Sequence, residues 1–147
     1  HNSDRRQRQM CIRDSPGTHN VDGDSASITM ATAIISAFEG IPIEQNLAMT
    51  GSLSVRGEVL PIGGVTAKIE AAAQAGIETI IIPRSNLQDV LIDEKYESMV
   101  QIKPVDSLDE VLQYALVGTE DKLSLVERLA NVIDTIDLMS QEHKSTT

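Results

Sequence analysis

The sequence VDGDSAS at residues 21–27 runs directly into a long apolar segment, ITMATAIISAF, at residues 28–38. Acidic and hydroxyl residues in a small-residue turn before a helical pattern are typical of a helix start, where they cap backbone N–H groups. The apolar segment predicts a central helix that is buried on most of its faces, and Gly40 followed by Pro42 predicts its end. Ser25 is therefore expected at or just before a helix N-terminus, which also favours developing negative charge.

Downstream of this helix, short β-type segments are followed by alternating helical and β-type segments. The two β-type runs 47–55 and 59–62 flank residues Arg-Gly-Glu at 56–58, which predict a tight hairpin turn. The remaining predicted elements are a helix at 65–75, a buried strand at 79–82, a short helix at 86–91, a strand at 100–103, a helix opened by a capping box at Ser107, and an amphipathic helix at 123–139. The alternation after Gly64 indicates an α/β fold.

Composition restricts the class of protein. The chain has 147 residues, enough for one domain with a sizeable core, and it is 41% hydrophobic but only 2% aromatic. The core must therefore be aliphatic. A net charge of −10 argues against nucleic acid and against an anionic membrane surface as partners. No apolar run approaches the roughly 20 residues of a membrane span, and the single Cys11 excludes a multi-cysteine metal site.

The first residues differ in character from the rest of the chain. Residues 1–16 are polar, basic and without periodicity, which predicts disorder. The run MCIRDS at residues 10–15 looks like the translation of a sequencing adaptor, so this segment is interpreted as non-native sequence and is left out of the fold argument. The predicted division is a domain at 17–118 followed by a C-terminal helix and polar tail at 119–147.

Lys68 follows a glycine pair, and this raises two chemical interpretations. The segment GGVTAK at residues 63–68 lacks the glycine before the lysine and the Ser or Thr after it that a phosphate-binding loop requires. A serine nucleophile with a lysine base is the other interpretation, because His19 lies in a loop-like stretch unsuited to a triad. Such a lysine must be neutral near pH 7, with a pKa about three units below that of unperturbed lysine, which burial can supply. The ordinary alternative, a solvated lysine at a helix border, stays open on periodicity alone.

Three segments together resemble the proteolytic domain of Lon proteases, most closely its archaeal, membrane-associated B-type branch. They are GDSAS at 23–27, AMTGSLSVRGEVLPIGG at 48–64, and Lys68, and the resemblance covers about residues 17–118. The bacterial branch has Pro-Ser-Ala-Gly where this chain has DSAS at 24–27, which is the archaeal pattern. The resemblance implies the Lon proteolytic-domain fold, with mixed sheets and packed helices, and a serine endopeptidase. In that reading Ser25 is the nucleophile, and Lys68 acts as general base and then as general acid.

The same resemblance suggests three supporting residues. Thr50 matches a threonine whose hydroxyl helps to hold the lysine. Asp22 matches an acidic position that can contact the lysine in archaeal members, and Asp24 is expected to shape the turn beside the nucleophile. A carboxylate on Lys68 would raise the pKa of the lysine and oppose its function as a base, so an Asp22 contact would mark a resting geometry. Plain capping and turn roles for both aspartates stay open.

Finally, the resemblance implies a larger assembly. It suggests a homohexameric ring fed by an AAA+ module that binds ATP and Mg²⁺, in another part of the parent protein, and protein substrates that are unfolded or regulatory. This domain itself is expected to hold no cofactor and no metal. A cytoplasmic location follows, and anchoring of the parent protein to the cytoplasmic side of the cell membrane stays open. The alternative from another class is a non-catalytic ring-assembly domain of the same fold; the presence of both Ser25 and Lys68 favours the enzyme.

Overall fold

A computed structural model describes residues 25–118 and 120–145 of the chain. The expectations for residues 1–16, Asp22 and Asp24 lie outside these residues. In chain order the described elements are α1 (Ser27–Glu39), β1 (Leu47–Met49), β2 (Ser52–Leu53), β3 (Val59–Leu60), α2 (Val65–Gln74), β4 (Thr79–Pro83), a 3-10 helix (Arg84–Asp89), α3 (Glu94–Glu97), β5 (Gln101–Val105), α4 (Leu108–Ala115) and α5 (Glu120–Ser145).

A three-stranded parallel sheet forms the centre of this part of the chain, in the order β1–β4–β5. Ile80 of β4 lies opposite Ala48 on one side and Ile102 on the other. The side chains of residues 80–83 are all buried, which confirms the predicted strand covered on both faces. Strand β4 is therefore held rigidly in the core, and residues that bind to it are fixed relative to the sheet.

Helices cover both faces of the sheet, as expected for an α/β fold. The apolar positions Val65, Ile69, Ala72 and Ala73 of α2 are all buried, and they pack with the Ile80 and Ile82 face of β4. The opposite face, at Ile81, packs against α1 and α4. The buried residues of both clusters are aliphatic, as the composition predicts, and the partly buried Tyr96 packs against one of them.

The predicted β run at 47–55 is two strands rather than one. Strand β1 joins the parallel sheet, whereas β2 pairs with β3 in an antiparallel hairpin. The chain changes direction at Gly51, whose φ of 155° is unfavourable for residues with a side chain. The hairpin turn itself is confirmed: the Ser54 hydroxyl accepts hydrogen bonds from the N–H groups of Arg56 and Glu58, at 3.2 and 3.1 Å.

Helix α1 has the predicted bounds but not the predicted burial. It ends at Gly40, which has the left-handed φ of 69°. Only Ile28 and Thr32 are buried, while a stripe on another face is open to solvent, with Phe38 89% exposed. The expectation of a helix buried on most faces was therefore wrong, because only one stripe of α1 packs on the sheet.

The C-terminal part of the chain packs on this core as well. Ser107 precedes α4 as predicted, but its hydroxyl donates to the carboxylates of Asp109 and Glu110 and caps no helix N–H group, so the predicted capping box does not form. Helix α5 buries Leu125 in a cluster with α4, and Ile133 is also buried. Among the described residues, no helix is both long and apolar enough to cross a membrane.

Candidate active site

Ser25 lies two residues before α1, and its residue surface is only 7% exposed. Ala26 occupies the N-cap position of α1, with no side-chain capping bond. The expectation that Ser25 lies at or just before the helix N-terminus is therefore confirmed. The hydroxyl oxygen of Ser25 lies beside the amine of Lys68, a residue 43 positions further along the chain.

The connection between β1 and β2 holds the backbone of this serine in place. The N–H of Gly51 donates to the carbonyl of Ser25 at 3.0 Å, and the N–H of Ile28 donates to the carbonyl of Gly51 at 3.5 Å. A Cβ atom at residue 51 would lie 3.0 Å from Val59 Cγ1 and 3.2 Å from Ile28 Cδ1. Glycine is therefore required where the backbone runs this close to the start of α1. A glycine inside a β-type run is the sequence signal that could have identified this position.

Lys68 projects from the first turns of α2. The helix begins after Gly64, whose φ of 71° is left-handed, and the N–H of Lys68 donates to the Gly64 carbonyl at 3.2 Å. The side chain is half-buried, and Nζ lies 2.9 Å from Ser25 Oγ and 3.4 Å from Thr50 Oγ1. The structure thus brings together Ser25, Lys68 and Thr50.

Thr50 connects this group to the central sheet. It is 5% exposed, and its N–H donates to the carbonyl of Ile81 at 3.0 Å. Because Ile81 belongs to the buried strand β4, the hydroxyl of Thr50 is fixed relative to the core. It can therefore hold the amine of Lys68 on the side that faces Ser25.

This geometry is suited to proton transfer between a hydroxyl and an amine. A separation of 2.9 Å between Nζ and Oγ is within the hydrogen-bond reach that a general base requires. With a charged lysine, Nζ donates to Oγ; with a neutral lysine the direction reverses, and Nζ accepts the proton of the serine hydroxyl. Within residues 25–118 and 120–145, no group of His, Cys, Asp or Glu side chains could hold a metal ion. The roles predicted for Asp22 and Asp24 fall on undescribed residues and stay predictions.

Comparisons with known proteins agree on one family. The family model described as Lon protease (S16) C-terminal proteolytic domain matches residues 3–118. An archaeal Lon protease of Halobacterium salinarum is 62% identical over 116 residues, covering 79% of this chain and 16% of that protein. Archaeal Lon proteases of Methanothermobacter thermautotrophicus and Thermoplasma acidophilum are 57% and 46% identical, covering 79% and 88% of this chain. The chain spans only 18% and 20% of those two relatives.

Proposed function

Because the chain belongs to the Lon protease (S16) C-terminal proteolytic domain family, whose model matches residues 3–118, we propose that Ser25 and Lys68 form the catalytic dyad of a serine endopeptidase. The observation that carries this assignment is the 2.9 Å separation between Lys68 Nζ and Ser25 Oγ. Two residues 43 positions apart in the sequence meet at a distance that neither periodicity nor capping requires.

The proposed reaction proceeds in two halves. Neutral Lys68 accepts the hydroxyl proton of Ser25 while Oγ bonds to the carbonyl carbon of the scissile peptide. The resulting ammonium then donates its proton to the leaving amide nitrogen, the C–N bond breaks, and an ester remains on Ser25. In the second half Lys68 takes a proton from water, the hydroxide attacks the ester, and the proton returns to Oγ as the acid product leaves. Atoms and charge balance with no other reactant than water.

Two features of the fold support these steps. The hydroxyl of Thr50, 3.4 Å from Nζ, keeps the amine directed at Ser25. The backbone N–H groups next to Ser25, at the start of the 13-residue helix α1, are the proposed donors to the oxyanion, since a helix N-terminus carries partial positive charge. Where one such donor has been removed from a serine protease, the loss is roughly 3 kcal/mol of transition-state stabilisation.

The test compares cleavage of casein or a fluorogenic peptide by the wild type and two variants, Ser25→Ala and Lys68→Ala. We expect both variants to lose at least about 10³-fold in kcat, as in serine proteases that lack one member of the catalytic group. Ser85→Ala and Lys103→Ala are matched controls. Ser85 is exposed, and Lys103 lies over the ring of Tyr114, away from the dyad contacts. Equal activity in all five proteins would refute the dyad and favour a ring-assembly domain without catalysis.

For the whole parent protein we propose an ATP-dependent protease, a homohexameric ring that degrades unfolded or regulatory proteins. The glycine-lysine segment of this chain does not fit ATP, because Lys68 Nζ is engaged with Ser25 and Thr50. ATP and Mg²⁺ are therefore assigned to an AAA+ module in another part of the parent protein. The proposed location is cytoplasmic, with any membrane attachment also supplied elsewhere in the parent protein. The net charge of −10 supports protein substrates over nucleic acid. Light scattering of the purified chain measures whether it forms hexamers alone.

A further inference from the structure

Two buried polar side chains of the described residues lie outside the site described above, and one of them binds another segment of the chain. The buried polar side chains of the described residues are Ser25, Thr32, Thr50 and Asn86. Ser25 and Thr50 belong to the site, and the hydroxyl of Thr32 donates to the carbonyl of Ile28 in its own helix at 2.7 Å. Asn86 is 1% exposed and lies in the 3-10 helix that follows β4. A buried amide must satisfy its donors and its acceptor, so its partners indicate what it holds.

The amide of Asn86 binds both backbone groups of one residue. Its Oδ1 accepts from the N–H of Ile62 at 2.9 Å, and its Nδ2 donates to the carbonyl of Ile62 at 2.9 Å. Nδ2 also donates to Asp89 Oδ2 at 3.0 Å, within the same 3-10 helix. The side chain thus pairs with Ile62 as a neighbouring strand would. Removing it leaves the N–H and carbonyl of Ile62 without these partners.

Ile62 lies two residues before Gly64, the N-cap residue of α2. A second contact holds the first turn of the same helix from the same side. The hydroxyl of Thr66 donates to the carbonyl of Asp89 at 3.0 Å and accepts from the N–H of Leu91 at 3.1 Å. Residues 86–91 therefore fix both the loop that enters α2 and its first turn, two residues before Lys68.

We propose that Asn86 is a positioning residue for the general base. It fixes the start of α2 relative to β4, and thereby the distance from Lys68 Nζ to Ser25 Oγ. Thr50 is attached to the same strand through Ile81, so the contact of the lysine amine with the Thr50 hydroxyl is also fixed relative to β4. This inference rests on the proposed Ser25–Lys68 dyad and extends it to a residue that touches neither substrate nor the reacting atoms.

The test measures peptide cleavage by the full chain and the rate at which a fluorophosphonate probe phosphonylates Ser25, with fluoride as the leaving group. For Asn86→Ala we expect kcat and the phosphonylation rate to fall about 100-fold, as for a displacement of about 1 Å at a reacting group. KM should stay within about twofold, since uniform substrate binding is not affected. A kcat within about twofold of wild type in the folded variant would overturn the inference.

If Asn86 had a purely structural role, Asn86→Ala would lower thermal stability but would not lower kcat selectively while KM stayed unchanged. Leu125→Ala is the control, because Leu125 of α5 is buried in a cluster that contains none of the residues 86–91. It should lose stability and keep its kcat when assayed below its transition. Thr66→Val is the second variant should Asn86→Ala not fold. It removes the other contact with α2 at nearly constant volume, and we expect about a tenfold loss, again in kcat.

The two proposals fail in different ways. If Ser25→Ala stays active, the dyad itself is wrong, whatever Asn86→Ala does. If Ser25→Ala and Lys68→Ala are inactive while Thr66→Val and folded Asn86→Ala have the kcat of the wild type, only the positioning role is wrong.

Discussion

Replacing Gly51 with alanine tests the packing that connects Ser25 to the sheet. The new Cβ would lie 3.0 Å from Val59 Cγ1, 3.2 Å from Ile28 Cδ1 and 3.4 Å from Pro83 Cγ. The first two distances are shorter than ordinary van der Waals contacts, and all three neighbours are buried. The φ of 155° adds backbone strain. Overpacking contributes about 1–3 kcal/mol and the strained backbone about 1–3 kcal/mol, so we expect the free energy of unfolding to fall by about 2–6 kcal/mol.

Thermal unfolding followed by far-ultraviolet circular dichroism measures this loss. For a chain of this size a change of 1 kcal/mol shifts Tm by roughly 3 °C, so Gly51→Ala should unfold at least about 6 °C below the wild type. Gly40→Ala is the matched control: its φ of 69° is also left-handed, but a Cβ there meets nothing within 4 Å. The control should therefore lose only about 1–2 kcal/mol. Equal losses at the two positions would refute the packing argument, since only backbone strain is common to both.

Two further predictions concern other parts of the fold. Thr50→Val removes the hydroxyl that lies 3.4 Å from Lys68 Nζ, and we expect about a tenfold loss of kcat. A kcat close to that of the wild type would mean that this contact does not hold the lysine. Gly57→Ala places a Cβ 2.9 Å from Ile133 Cγ1 at a left-handed φ of 83°, so overpacking and backbone strain together should lower the free energy of unfolding by about 2–5 kcal/mol. Ile133→Ala removes the side chain that the new Cβ would meet, so in that background Gly57→Ala should cost at least about 1 kcal/mol less, as measured by denaturant unfolding. Strictly additive losses in the double variant would contradict the contact.

The sequence predicts those elements whose pattern determines a single buried face. The apolar positions 65, 69, 72 and 73 recur at helical spacing, and all four are buried in α2. The continuous apolar run at 79–82 is the buried strand β4. In both elements the spacing of the apolar residues alone indicates which face contacts the core, so the local pattern is sufficient to predict burial.

For helix α1 the local pattern does not predict which face is buried. Its sequence is apolar on nearly every face, so periodicity cannot indicate which stripe contacts the sheet. The structure buries Ile28 and Thr32 and leaves Met30, Ile34 and Phe38 exposed. The choice depends on the position of β4 and α4, elements 40 or more residues away that the local pattern does not describe.

The site was predictable only in part for the same reason. Resemblance to a family identified Ser25, Lys68 and Thr50, and the structure places these three side chains together. The structure does not assign the roles of these three residues, which the proposed variants are designed to test. The contribution of Asn86 was not predicted, because a single asparagine in a short helical segment has no spacing that relates it to Ile62. Hydrogen bonds between residues 24 positions apart arise from the fold and leave no local signal.

The arrangement of supports along the chain has a consequence for synthesis on the ribosome. Among the described residues Ser25 emerges first, and the groups described above that hold it and Lys68 come later, from Gly51 through β4 to Leu91. A nascent chain that ends just after Lys68 contains both residues of the proposed dyad and has no β4 to bring them together. Because parallel pairing of β1 with β4 must wait for the intervening residues, the contacts of the proposed dyad form only after β4 has been synthesised. We therefore expect the proposed cleavage activity only once residues up to Pro83 have been synthesised.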